Sequence, residues 1–270
     1  MESIIFWTAT TLYALATASF VVFIGFRKPR ASWLAHLFFA IALAPHAGSL
    51  IMRWQAVGHG PYSTRYEVLS ANALVLAVLY LGSALRLPRI RALGVLIAPT
   101  VFIMMGLSVD SFELRYEVPI IFKSWWLFLH IGFAKAFGAC TMIAAAAAVG
   151  YLLRAYRKKV PQWLPSQEVL DLYAHQFLLV AFLFLGIMII AGSLWANQSW
   201  GRYWGWDPIE TSSLVTWLAF GIILHFRVLH HWSGGRMAWL TLVALAFGLQ
   251  TVYVVALIVP TIHNRYLVAP

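Results

Sequence analysis

A chain of 270 residues that is 62% hydrophobic and only 10% charged, with a mean hydropathy of +0.80, does not have the composition of a water-soluble globule. The formal net charge of +10 invites a nucleic-acid reading, but the basic residues recur between apolar runs instead of pooling into one patch. Composition therefore excludes a soluble enzyme or a nucleic-acid binder and implies an all-α, polytopic membrane helical bundle.

In chain order, apolar runs long enough to cross a hydrocarbon core of about 20 residues fall at 3–26, 32–52, 66–85, 90–107, 124–153, 172–195, 209–229 and 236–259. Twelve basic residues lie in one set of alternate connections: Arg27, Lys28 and Arg30; Arg86, Arg89 and Arg91; Arg154, Arg157, Lys158 and Lys159; Arg227 and Arg236. The other set carries six, Arg53, Arg65, Arg115, Lys123, Arg202 and Arg265. Cytoplasmic loops are the richer in Lys and Arg, so the expected layout has eight transmembrane helices with both termini outside the cytoplasm. The first run has Glu2 before it and RKPR behind it, which reads as a retained helix and not a cleaved signal. Nothing in the sequence divides the chain, so residues 1–270 read as one membrane domain.

Cys140 is the single thiol, set in the small-residue stretch AFGACTMIAAAAAVG, where a packing role is expected. With no CxxC, the chain cannot cycle a disulfide by itself.

The outward connection at about 195–208, WANQSWGRYWGWDP, holds four tryptophans and a tyrosine. An interfacial aromatic belt explains one or two of them. The close set Trp200, Tyr203, Trp204 and Trp206, with Gly201 and Gly205 between, reads instead as a platform for a large planar ligand. Asp207, Pro208 and Glu210 form a helix start, with Asp at the N-cap and Glu three residues on. Arg202, within the loop, is the cation available to an anionic ligand group. Lys135 is a weaker candidate, since a lysine there can equally snorkel or pair within the bundle.

Histidine needs a partner inside a bilayer. His130 lies about two turns into the fifth run from its outer end, and His263 lies just past Pro260 where the eighth run emerges on the same side. One such residue reads as a satisfied interfacial histidine. Two facing a tryptophan floor suit the axial ligation of a haem iron. His225 lies roughly 25 Å inward along the seventh run at 1.5 Å per residue, too deep for that pair, and marks a candidate inner site. His46 is its candidate partner within the chain, although its depth matches poorly and another subunit could supply the ligand. His230 and His231 read as polar turn residues, His36 and His175 as helix-end residues, and His59 as part of a GHGP turn.

The segment WANQSWGRYWGWDPIET resembles the tryptophan-rich WWD signature of the haem-handling membrane family that includes CcsA, ResC and CcmC. RWQAVGHGPYSTRYEVL, WWLFLHIGFA and LVTWLAFGIILHFR resemble further segments of its CcsA and ResC branch, so the likeness covers most of the chain from about residue 45. The resemblance implies a cytochrome c biogenesis subunit that moves haem b across a bacterial inner membrane and presents it on the outer face for thioether attachment to the CxxCH segment of apocytochrome c. It implies His130 and His263 as the outer ligands and His225 as an inner one. It also implies a ResB/CcsB-like membrane partner and a separate thiol-disulfide reductant protein, so that the chain is a subunit of a holocytochrome c synthase. Two alternatives stay open: a CcmC-like chaperone that delivers haem without ligation, and a HemX-like regulator. Gln198, Ile209 and Ser212 depart from the common pattern, and the first two remove charge beside the platform, which bears on partner docking.

Overall fold

The computed structural model describes residues 1–115, 118–157, 161–255, 258–259 and 261. Eight α-helices follow in order: α1 (Glu2–Phe26), α2 (Pro29–Val57), α3 (Arg65–Arg86), α4 (Gly94–Ser108), α5 (Trp125–Tyr156), α6 (Gln167–Trp200), α7 (Pro208–Leu229) and α8 (Gly235–Leu249). Tight 3₁₀ turns at Pro88–Leu93 and Val109–Ser111 extend α4 at both ends, and a π segment, Gln250–Val255, continues α8. There is no strand among the described residues. All eight helical segments are long and apolar enough to cross a membrane, as the sequence predicts. The chain is a polytopic helical membrane protein.

Within the stretch read as one domain, the chain divides into two compact units, Met1–Glu117 and Val118–Pro270. In the first, α1 packs on α2 and α4, and α3 packs on α2 and α4. The buried face of α1 alternates bulky and small residues, Phe6, Ala9, Tyr13, Ala16 and Phe20, at steps of three and four. On α2, Ala31, Ala35, Phe39, Ala42, His46, Ser49 and Arg53 repeat that spacing. Such seams suit helices in lipid, where close van der Waals packing and hydrogen bonds replace the hydrophobic drive that holds helices together in water.

In the second unit the longest contact is between α5 and α6. The alanine run from Ala144 to Ala148 on α5 is buried there, and Leu178, Ala181, Leu185 and Met188 form the seam of α6. Consecutive antiparallel helices give this unit two ends. One carries Ser124, the start of α5, and the α6–α7 loop; the other carries Arg154, Arg227, Arg236 and the α7–α8 turn.

Two boundaries differ from the sequence reading. The sixth helix does not stop at 195 but runs to Trp200, because no Gly or Pro lies between Trp195 and Gly201, which closes it in the left-handed conformation at φ 71°. The aromatic connection therefore shortens to 201–207, and Trp195 and Trp200 become helical. The eighth helix changes to π at Gln250. The Ser212 and Thr216 hydroxyls of α7 each lie 2.7 Å from Thr251 Oγ1, and Ser212 Oγ also donates to Gln250 Oε1 at 3.0 Å. These contacts hold the widened turn against α7; π turns are frequent at functional sites.

Candidate functional site

The site is built at the loop end of the second unit, where α5 begins and α6 ends. Ser124 Oγ donates to Gln198 Oε1 at 2.6 Å, joining the two helix ends. His130 follows on α5. Its Nδ1 is 2.9 Å from the carbonyl oxygen of Met188. A carbonyl only accepts, so Nδ1 carries the proton and the lone pair of the neutral ring is on Nε2. A hydrogen bond of this kind from the other ring nitrogen fixes the tautomer and ring orientation of a metal-binding histidine. The ring fits only because residue 192 is glycine: a Cβ there would lie 2.6 Å from Nδ1.

Behind His130 stands Trp195, 1% exposed, its indole nearly parallel to the imidazole at 24° with ring centroids 6.5 Å apart. Trp195 Nε1 donates to Ile121 O at 3.0 Å, which pins the indole. Trp200, one further turn along α6, packs edge-on against Trp195 at 4.9 Å. His130, Trp195 and Trp200 thus form a continuous aromatic row leading to the loop.

The loop itself is braced from α7. Glu210 Oε2 accepts from Gly205 N at 2.7 Å and Asp207 N at 3.2 Å, while the Asp207 carboxylate accepts from Ile209 N at 3.4 Å and completes a capping box with the Glu210 amide. Asp207 is buried and Glu210 half-buried. Both carboxylates are spent on backbone amides, the capping role expected for them.

With the backbone so held, three features of the loop favour a ligand. Trp206 sits at φ 57°, a left-handed conformation that costs a bulky residue on the order of 1–2 kcal/mol, yet its side chain is 70% exposed. Strain of this kind collects at functional sites. Trp204 packs edge-on against Trp206 at 5.8 Å, and its buried indole Nε1 has no hydrogen-bond partner among the described residues. Arg202 lays its guanidinium on the bare Cα of Gly205, where a Cβ would collide with it, and makes no hydrogen bond or ion pair among the described residues. An exposed indole, a buried donor without a partner and an unneutralised cation suit a planar anionic ligand such as haem. Tyr203 is 57% exposed beside them.

The remaining predicted residues fall elsewhere. His263 lies outside the described residues. His225 is exposed on α7 near the far end of the unit, its ring 6.0 Å from that of His230. His46 belongs to the first unit and is wholly buried, with Nδ1 3.1 Å from Tyr13 Oη and Nε2 3.0 Å from Ser70 Oγ. Both ring nitrogens are engaged, so binding iron would require breaking one of those bonds.

Sequence reasoning missed the role of Arg53, treated only as an outer-loop charge. It is fully buried, donating to Glu2 Oε1 at 2.7 Å, Leu114 O at 2.9 Å and Phe112 O at 2.6 Å, with its guanidinium 4.4 Å from the centre of the Tyr66 ring. Only the unusual depth of an arginine in the apolar phase of α2 could have signalled this.

These features define a class: an all-helical, multi-pass membrane protein whose second half carries a braced tryptophan loop beside a tautomer-fixed histidine. Residues 62–263 match the cytochrome c assembly protein family, and the chain belongs to that family. Cytochrome c biogenesis protein CcsA of Chlamydomonas reinhardtii is 34% identical over 197 residues, covering 70% of this chain and 56% of its own length. The CcsA proteins of Chlorella vulgaris and Synechococcus sp. (strain JA-3-3Ab) are each 30% identical, over 76% and 75% of this chain and 76% of their own lengths. The chain thus spans just over half of the Chlamydomonas relative. The solved cytochrome c heme lyase CcmF shares the fold, with a TM-score of 0.70 at 17% identity over 94% of this chain and 46% of CcmF.

Proposed function

We propose that this chain is a CcsA-like subunit of a cytochrome c synthase, which carries haem b across the membrane and presents it on the tryptophan loop for thioether bonding to the cysteines of apocytochrome c. The observation that carries the reading is the His130–Met188 bond, because it gives one nitrogen of a histidine beside the loop a fixed lone pair. His130 and His263 would hold the iron. Trp200, Tyr203, Trp204 and Trp206 support the macrocycle, and Arg202 takes a propionate. Asp207 acts through the loop backbone and not on the ligand. His225 serves the inner site, with its second ligand from a partner subunit.

Haem supplies the vinyl groups that the thiols add to; the protein contributes position. Holding the haem at one orientation turns the meeting of vinyl and thiol into a local event, which is where the rate gain lies. The lack of a CxxC assigns reduction of the apocytochrome to a separate thiol-disulfide protein, and a ResB/CcsB-like membrane protein is the fitting partner. The chain is placed in a bacterial inner membrane on this reading, and the basic asymmetry of its loops favours the tryptophan loop on the periplasmic side.

The test is reconstitution in a host without its own maturation system. Alone, the chain should accumulate low-spin haem and yield no covalent cytochrome. With a ResB-like protein and a reductant it should yield haem-stained product, and combined replacement of Trp200, Trp204 and Trp206 by Ala should remove it. Product from the chain alone would overturn the two-component reading. Failure with every partner tried would favour delivery to another carrier, as in CcmC.

A further inference from the structure

At the opposite end of the second unit, the α7–α8 turn and the end of α5 line an open cavity of about 650 Å³, within the size range of small-molecule and cofactor pockets. Its walls include His230, His231, Trp232, Arg236, Trp239 and Tyr156. Among the described residues no acidic side chain lines it. Asp171, nearby on α6, is occupied: it bonds Arg227 at 2.6 Å and the Gly234 amide at 3.0 Å. Arg236 stacks on Trp232 with its guanidinium 5.5 Å from the ring centre and has no acidic partner among the described residues. Trp232 is in turn held face to face with Phe226 at 4.6 Å, and Arg227 Nη1 donates to its carbonyl. Large aromatic faces, a free cation and two adjacent imidazoles therefore converge on one opening, and His231 is held there at φ 51°.

We infer that this cavity is an acceptor site where haem first docks on the chain, with His230 or His231 meeting the iron, Trp232 or Trp239 the macrocycle and Arg236 a propionate. The chemistry selects the ligand. A phosphate headgroup would be served by Arg236 and the tryptophans, but it has no use for paired imidazoles, whereas a planar, anionic, iron-bearing ring uses every group present. The cavity also borders the inner histidine, since the His230 and His225 rings are 6.0 Å apart. Haem held at the turn is one ligand exchange away from α7.

This inference rests on the proposed role in haem transport, and its test separates the two. The full chain carrying His225→Ala, which silences the inner site, is purified without haem, placed in nanodiscs of neutral lipid and titrated with ferric haem, both with no further change and in three variants of it: His130→Ala, the double variant His230→Gln with His231→Gln, and all three of these changes together. His130→Ala should lose the outer-site spectrum and retain a second haem. The double glutamine change, on exposed turn residues, should weaken that second haem about tenfold or more, as losing a ligand-shell group does, and the triple variant should bind little. If the triple variant keeps the same haem as His130→Ala, the acceptor site is wrong while the outer site stands. An unchanged His130→Ala spectrum sinks the outer-site assignment; a loss confined to the glutamine variants then still supports the acceptor site. Haem binding indifferent to the glutamines, with Arg236→Gln reducing only the retention of anionic lipid, would make the cavity a lipid site and overturn the inference.

Discussion

Gly192 and His130 are in mutual contact across α5 and α6: a Cβ on Gly192 would sit 2.6 Å from Nδ1 and 2.9 Å from Cε1 of the imidazole. The glycine is therefore what permits the His130–Met188 bond. Gly192→Ala should push the ring aside, at a cost of about 1–3 kcal/mol for overpacking, and lower the haem-to-protein ratio of the purified protein or shift its Soret band. Gly138→Ala, on the same α5 but with open space around its Cα, is the matched control and should leave both unchanged. Equal spectra for the two variants would remove His130 from the ligand set.

The loop brace separates a capping role from a ligand-binding one. Asp207→Asn keeps an N-cap acceptor and should retain haem, whereas Asp207→Ala should cost about 1 kcal/mol of stability. Glu210→Ala strips acceptors from Gly205 and Asp207 and should loosen the loop further, read as faster protease cleavage between 201 and 207. Loss of haem in Asp207→Asn, with the loop still protected, would mean that the carboxylate touches the ligand.

Arg53 predicts a purely structural effect in the first unit. Arg53→Met would take one donor each from the Glu2 carboxylate, Phe112 O and Leu114 O, all three of which keep Arg115, and the lost hydrogen bonds should cost about 1–3 kcal/mol. Thermal unfolding in detergent should show a fall in Tm. Joint replacement of Glu2 and Arg53 by Gln and Met should recover part of it, since the carboxylate that loses a donor is then gone. A Tm unchanged by Arg53→Met would show that the three hydrogen bonds carry no net stability.

Orientation is checked by reporters. A fusion after Pro270 to alkaline phosphatase should be active, and one to a cytoplasmic fluorescent protein dark, because the twelve basic residues between alternate helices belong inside. The reverse pattern would place the tryptophan loop on the cytoplasmic face and exchange the two ends of the proposed transport route.

The eight helices and the aromatic loop were legible because they are local facts: a run of apolar residues announces a span by length alone, and Asp207, Pro208 and Glu210 announce a helix start by spacing. His130 was legible as a histidine beside the loop. What its neighbours do to it was not, since Met188 and Gly192 lie some sixty residues away and meet it only through the α5–α6 seam. The same holds for Arg53, whose partners at Glu2, Phe112 and Leu114 are contributed by segments far apart in sequence. It holds too for His230 and His231, which read as ordinary turn residues until the ends of α5, α7 and α8 bring them to one open cavity. Even the limit of the loop was a tertiary decision in part: composition placed it from 195, and the packing of Trp195 against His130 and Phe122 kept that stretch helical to Trp200. Hydropathy and capping act over a few neighbouring residues and so are written in the sequence. Tautomer, burial and the pairing of charges depend on which distant side chains the folded helices bring within a few ångströms, and only the tertiary structure decides those.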